Sequence, residues 1–319
     1  MFQYSMIQWL FFFYLYCFLG WCFESTYVSI RKRQLTNRGF LRGPFLPIYG
    51  SGAIMMLIVS MPFQDNIVLT YLAGCVGATA LEYVTGVTME TLFKVRYWDY
   101  SDQKFNFQGH ICLGSTIAWG FFTILMTEVI QVRVEKIVFL IPGQVLTWIT
   151  LILTAGIGAD MALSFKAAFD LRDVLIKMEQ VKEEMARIQK RLDVIIAVVG
   201  EEMGQRKEGF AENIAGIKSE IKTGISGNLS DMTTAIEEKL STIRNYMQTK
   251  PGAALENVKE EWYELKEKYT VTSEHAKRIG SLKDFFQRDM IRSNPSMTST
   301  RFKSSLEELK TKVFNRKQK

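Results

Sequence analysis

Glu24, Glu82 and Glu90 each stand inside strongly apolar sequence. A carboxylate in a bilayer-spanning helix is costly, so it marks a polar site, a water-filled cavity or an ion pair. Glu82 and Glu90 are eight residues apart, which sets them near one helical face and ~12 Å apart along the axis. Glu82 is the deeper of the two and the stronger candidate for a functional polar site. Carboxylates placed this way accept hydrogen bonds, hold cations or pair with guanidinium groups, and two loops offer such partners. The first runs over 31–47 and carries Asn37, Arg38, Gly39, Arg42, Gly43, Pro44 and Pro47, with Gly50 just beyond. The second runs over 94–109 and carries Arg96, Trp98, Asp99, Tyr100, Asn106 and Gly109. Arginines on a shaped loop can clasp an anionic group such as a lipid phosphate; the same arginines also fit a plain role in setting membrane orientation. Glu24 and Glu90 are equally placed for interfacial ion pairs with Arg31, Arg38 or Arg96.

Gly39, Gly43, Pro44, Pro47, Gly50 and Gly109 shape backbone more than a simple connection requires. Non-helical backbone at membrane depth survives only where it is buried in protein or lines a cavity. Trp98 and Tyr100 are expected at the membrane interface, where amphipathic rings settle. Nothing points to bond-making chemistry: there is no P-loop, no GxSxG, no HExxH and no paired-aspartate metal motif. The four cysteines, Cys17, Cys22, Cys75 and Cys112, form no CxxC pair and read as small buried hydrophobes. His110 is the only histidine of the apolar half and has no metal partner in sequence. The expectation is therefore no catalytic residue, no metal and no cofactor in this chain.

The elements that must position these groups form an all-α, polytopic membrane helix bundle. Five apolar runs approach the ~20 residues that a span needs: 4–27, 47–63, 67–93, 109–130 and 137–165. Gly74, Gly77 and Ala78, and again Gly156 and Gly158, put small residues where helices in lipid pack closely. The two motif loops hold eight Lys and Arg; the opposite loops hold two, Arg133 and Lys136. The positive-inside rule then sets the N-terminus outside, and the motif loops and C-terminal half in the cytoplasm. The net charge of +6 does not call for nucleic acid, because much of the basic excess in the first half flanks apolar runs.

Three regions follow: a membrane domain over 1–165, a cytoplasmic helical region over 166–292 and a basic mobile tail over 293–319. In the middle region Leu171, Val174, Met178, Val181, Met185, Ile188, Leu192, Ile195 and Val199 alternate steps of three and four, a coiled-coil seam. A second series, Ile214 to Met247, averages about 3.67 residues per step, the period of straight or right-handed packing. The first seam fits a homo-oligomer formed through 171–199, and also fits a bundle within one chain. In the tail, Phe302 to Phe314 could lie as a short basic helix on a membrane surface.

Glu24, Arg31 and Arg33, Asn37, Gly39 and Gly43 run in the same order as Glu90, Lys94 and Arg96, Asn106, Gly109 and Gly114. The intervals differ, so either a parallel repeat or coincident loop composition accounts for the likeness. The motifs Gly20-Trp21, Asn37-Arg38-Gly39-Phe40-Leu41, Gly43-Pro44, Pro47-Ile48-Tyr49-Gly50, Leu81-Glu82-Tyr83, Thr85-Gly86 and Trp98-Asp99-Tyr100-Ser101 resemble the family of type IV ABC-transporter membrane proteins of low-GC Gram-positive bacteria. That resemblance covers roughly residues 5–150. It implies a multi-pass, permease-like, non-enzymatic protein of the cell membrane, acting with a separate ATPase because this chain has no Walker motif. Two other classes stay open: a membrane-anchored coiled-coil scaffold or sensor, and a lipid-binding or intramembrane enzyme.

Overall fold

The computed structural model describes residues 4–202, 228–249, 256–279 and 285–315. They are almost wholly helical and divide into two compact units, Met1–Arg172 with Asp284–Arg301, and Asp173–Lys283 with Phe302–Lys319.

In the first unit, α1 spans Met6–Lys32 and starts on a capping box in which Ser5 and Gln8 exchange side-chain-to-backbone bonds. α2 spans Pro47–Ser60 and runs into a 3-10 turn, Met61–Phe63. α3 spans Ile67–Phe93, its N-terminus capped by the Asn66 side chain. A two-residue hairpin, β1 Asn106–Phe107 with β2 Ile111–Cys112, leads into α4, Leu113–Ile124. α4 continues through a π-helical turn, Leu125–Gln131, into α5, Val132–Phe139. α6 covers Gly143–Glu202, and its first 30 residues belong to this unit. α9, Phe285–Ser293, returns to it from the C-terminal side.

Four helical runs are long and apolar enough to cross a membrane: Met6–Arg31, Ile67–Phe93, Leu113–Phe139 and Gly143–Ala197. The expected second span is a shorter helix, Pro47–Phe63, which at 1.5 Å per residue reaches only ~25 Å. Its shortness has a cause in the first loop. The Leu46 N–H donates to the Cys17 carbonyl at 2.9 Å, so α2 begins beside the middle of α1, some 22 Å back from the end of that helix. Ile67, Val68, Leu72, Val76 and Val84 point outward from α3 and are exposed, an apolar exterior suited to lipid. Inside, Phe12, Tyr16, Met56, Leu57, Ala78 and Met126 form the core. Gly74 packs on Thr123 and Gly77 on Val59, as the small-residue stripe predicted; Gly156 and Gly158 have nothing within 4 Å of an added Cβ, so they are not packing contacts.

The second unit is built from the remainder of α6, α7 (Leu229–Thr249), α8 (Glu256–Ile279) and α10 (Lys303–Asn315). Here the expected use of the 171–199 seam needs correction. Met178, Val181, Met185, Ile188, Leu192 and Ile195 are buried, along with Ile236, Leu240, Trp262, Leu265, Leu306 and Leu309 from the other three helices. Contacts within the chain fix the arrangement: Ser305 donates to Glu179, Lys239 pairs with Asp193 and Thr272 donates to Glu184. The seam is covered by helices of its own chain, and Leu175 takes the core position expected of the half-buried Val174. Residues 293–319, expected as a mobile tail, are structured through residue 315, and α10 buries Leu306, Leu309 and Val313. The first part of the second seam, Ile214 to Ile225, lies outside the described residues.

Candidate functional site

The first loop is organised around Glu24 on α1. Its carboxylate accepts from the Tyr49 hydroxyl at 2.8 Å and pairs with Arg38 Nε at 3.5 Å. Tyr49 reaches it because residue 20 is glycine: a Cβ there would overlap the Tyr49 Cβ and ring. Asn37 closes the loop, accepting from Trp21 Nε1 and donating to the Arg42 carbonyl, each at 2.6 Å. Gly39 holds φ of +149°, a backbone that side chains rarely adopt. Arg42 and Gly43 turn to α6, where Asp160 accepts from both of their amides at 3.3 and 2.8 Å. The Arg42 guanidinium bonds the Leu163 carbonyl. Pro47 starts α2, and Gly50 lets that helix close on Cys17 and Phe13; Pro44 is exposed.

The second loop is organised around Glu90. Arg96 Nε lies 2.8 Å and His110 Nε2 3.1 Å from the same carboxylate oxygen. Residue 86 is glycine, and a Cβ there would meet His110 Nδ1 at 2.9 Å. Burial, then Arg96, lower the His110 imidazole against the pull of Glu90 and Asp99, so a neutral ring donates to Glu90. Burial alone would raise the Asp99 carboxyl, but Ser101, Thr298 and Arg96 together hold it below the usual carboxylate range. Asn106 donates to the Ser101 and Gln103 carbonyls and accepts from the Gly109 amide. Gly109 has φ of +73°, and a Cβ there would strike Arg96 Nη1 and Ser101 Oγ at 2.5 Å.

Glu82 has its own surroundings. Tyr100 donates to Oε1 at 3.0 Å; Ser115 and Trp119 Nε1 donate to Oε2 at 3.2 and 2.9 Å. The residue is 6% exposed. The arginine partner expected from the first loop is replaced by three neutral donors, and Glu82 and Glu90 sit in separate networks. Trp98 and Tyr100 also depart from expectation. Both turn inward, because an indole N–H and a phenol O–H packed against protein need acceptors: Trp98 donates to the His110 carbonyl and Tyr100 to Glu82. Burial and the Glu82 charge push the Tyr100 phenol up, keeping it a donor.

The two loops share one construction. Gly20 and Gly86, Glu24 and Glu90, Gly43 and Gly109 are each 66 residues apart in the chain, and the same offset relates the first residues of α2 and α4. In each half a glycine admits a ring, the ring's polar tip meets a glutamate one turn along, and that glutamate pairs with a loop arginine. The register pairs Gly43 with Gly109, correcting the sequence alignment with Gly114. The rings themselves are not equivalent by position: Tyr49 comes from the first turn of α2, whereas His110 comes from the hairpin.

Sequence reasoning passed over three features. Asp160 anchors the first loop, and its signal was available, a carboxylate in apolar sequence. A polar chain at another level links Tyr16 to Gln131 at 2.5 Å, Gln131 to the Tyr4 hydroxyl at 2.9 Å, and Tyr4 to Glu135. Gln131 is delivered by the π-helical turn, a feature that often marks function and that no residue pattern announces. The third feature is the segment after α9, which lies against both loops. Among the described residues no group of three or more His, Cys, Asp or Glu is placed to hold a metal.

Residues 11–165 match the family model described as Putative ABC-transporter type IV. No curated protein and no solved structure matches the chain.

Proposed function

From the match of residues 11–165 to the family model described as Putative ABC-transporter type IV, we propose that the chain is the membrane-embedded, permease-type subunit of a transport system and works with a separate ATPase subunit. The observation that carries this reading is Glu82: a carboxylate buried in an apolar helix and held by three neutral donors, a polar site inside a bundle. Glu82, with Glu90 two turns along the same helix and Glu24 on α1, is assigned to the solute path. The motif loops are assigned to the cytoplasmic side, with the N-terminus outside and the C-terminal half inside, on the strength of the eight basic residues those loops carry. They are also the proposed docking surface for the ATPase. The scaffold reading is the weaker one, since the seam that would join two copies is buried within one chain.

The test is purification from native membranes in mild detergent, with the mass of the complex and mass spectrometry of whatever accompanies the chain. A stoichiometric ATPase is the expected companion. A homo-oligomer without any ATPase would refute the proposal.

A further inference from the structure

Residues 293–300, Ser-Asn-Pro-Ser-Met-Thr-Ser-Thr, touch both motif loops at once. At the first loop, Arg38 Nη1 donates to the Ser293 carbonyl at 3.3 Å and to Asn294 Oδ1 at 3.2 Å, and Nη2 donates to Ser296 Oγ at 3.1 Å. The Asn294 amide donates to the Gly39 carbonyl at 2.9 Å. At the second loop, Thr298 and Arg96 exchange both backbone bonds, 2.9 and 2.7 Å, as an isolated antiparallel bridge. Thr300 donates to Glu90 at 2.9 Å, Thr298 to Asp99 at 3.1 Å and Ser299 to the Lys94 carbonyl at 2.7 Å. Met297, between the two sets, is fully buried.

We propose that the two motif loops form a binding groove for an extended, hydroxyl-rich peptide strand, and that residues 293–300 are its built-in, displaceable occupant. The chemistry is that of strand addition: main-chain bonds to Arg96 supply register, and side-chain subsites at Arg38, Glu90 and Asp99 select hydroxyl and amide groups. The subsites are opposite in kind. Arg38 demands acceptors, which Ser293, Asn294 and Ser296 supply, whereas Glu90 and Asp99 demand donors, which Thr300 and Thr298 supply. Any partner that docks on the loops must therefore first remove this strand.

The test uses the full-length chain in mild detergent and reads backbone hydrogen exchange over residues 94–98. In the unaltered protein the Arg96 amide is protected. Replacing residues 293–300 with an equal length of Gly and Ser should speed its exchange at least about tenfold, since each bond lost opens the amide to solvent. Adding the free peptide Ser-Asn-Pro-Ser-Met-Thr-Ser-Thr at about millimolar concentration, comparable to the effective concentration of a tethered strand, should restore protection. A scrambled peptide should not. Unchanged protection after the replacement overturns the proposal, and so does lost protection that the peptide fails to restore. Should the replacement disturb folding, judged by exchange within α3 and α4, Asn294→Ala gives the same readout in milder form. None of these outcomes depends on an ATPase, so this proposal and the permease reading fail separately.

Discussion

Replacing Glu82 with Gln keeps the shape of the side chain and removes its charge. The carboxylate accepts three hydrogen bonds, from Tyr100, Ser115 and Trp119. Bonds to a charged group contribute ~1.5–3 kcal/mol each, against ~1 kcal/mol for neutral ones. The amide oxygen of the introduced glutamine can still serve the Trp119 indole and the Ser115 hydroxyl. Its NH2 then faces Tyr100, whose hydroxyl can rotate to accept. The net loss is about 2–3 kcal/mol, since charge assistance goes but no donor is orphaned. For a unit of this size 1 kcal/mol moves the midpoint by ~2–4 °C, so Glu82→Gln should lower it by roughly 4–12 °C. Thermal unfolding of the full chain in mild detergent measures the shift. A double-mutant cycle with Trp119→Phe should show coupling of about 1–2 kcal/mol, because the two changes act on one bond. Under the permease reading, transport should be lost while the protein still assembles. A midpoint unmoved within about 1 °C, together with additive effects in the cycle, would refute the reasoning.

In the second unit, Lys182 is buried against Glu308 at 3.2 Å, so Lys182→Met should destabilise that unit by about 1–3 kcal/mol in a denaturant melt, since Lys312 and the Leu229 amide still hold the carboxylate. Lys182→Met with Glu308→Leu should recover much of the loss, and equal stability of the single and double variants would contradict this. Glu308 itself is held below the usual carboxylate range by Lys312, the Leu229 amide and Lys182, although burial works the other way. A folded value depressed in this way contributes stability that is complete above the unfolded value near pH ~4.3 and lost as pH falls through the folded value. Glu308→Gln should flatten the acid limb of the stability profile, and an unaltered limb would exclude this pair as its source. Gly20→Ala forces a Cβ into the Tyr49 side chain and should cost at least about 1–3 kcal/mol by overpacking. Gly52→Ala, with nothing within 4 Å, is the control and should leave the melting midpoint unchanged or higher.

The apolar runs announced α3 to its ends and α1 to within five residues of its C-terminus, because apolar helices write their length directly into composition. The two-residue hairpin before α4 was not announced, since its strands are too short for an alternating pattern. The 171–199 seam shows where periodicity stops: it names the buried face, as Met178 and Leu192 confirm, but not the element that covers it. Trp98 and Tyr100 make a related point, for an amphipathic ring is equally at home at a headgroup or against a protein acceptor. Glu82, Glu90, Arg38 and the loop glycines were legible because their cost in apolar sequence needs a reason. Ser296, Thr298 and Thr300 carry no such cost and no period; only the fold shows that they meet Arg38, Asp99 and Glu90.

Both motif loops fold back alongside the helices that precede them, Leu46 beside Cys17 and Thr116 beside Thr79. A bilayer around α1 would then meet non-helical backbone partway along that helix, which survives at such depth only when protein sheathes it. Leu41 and Leu46 are buried and the Leu46 amide is met by Cys17, so the cost of keeping α2 short is borne by α1 rather than by lipid.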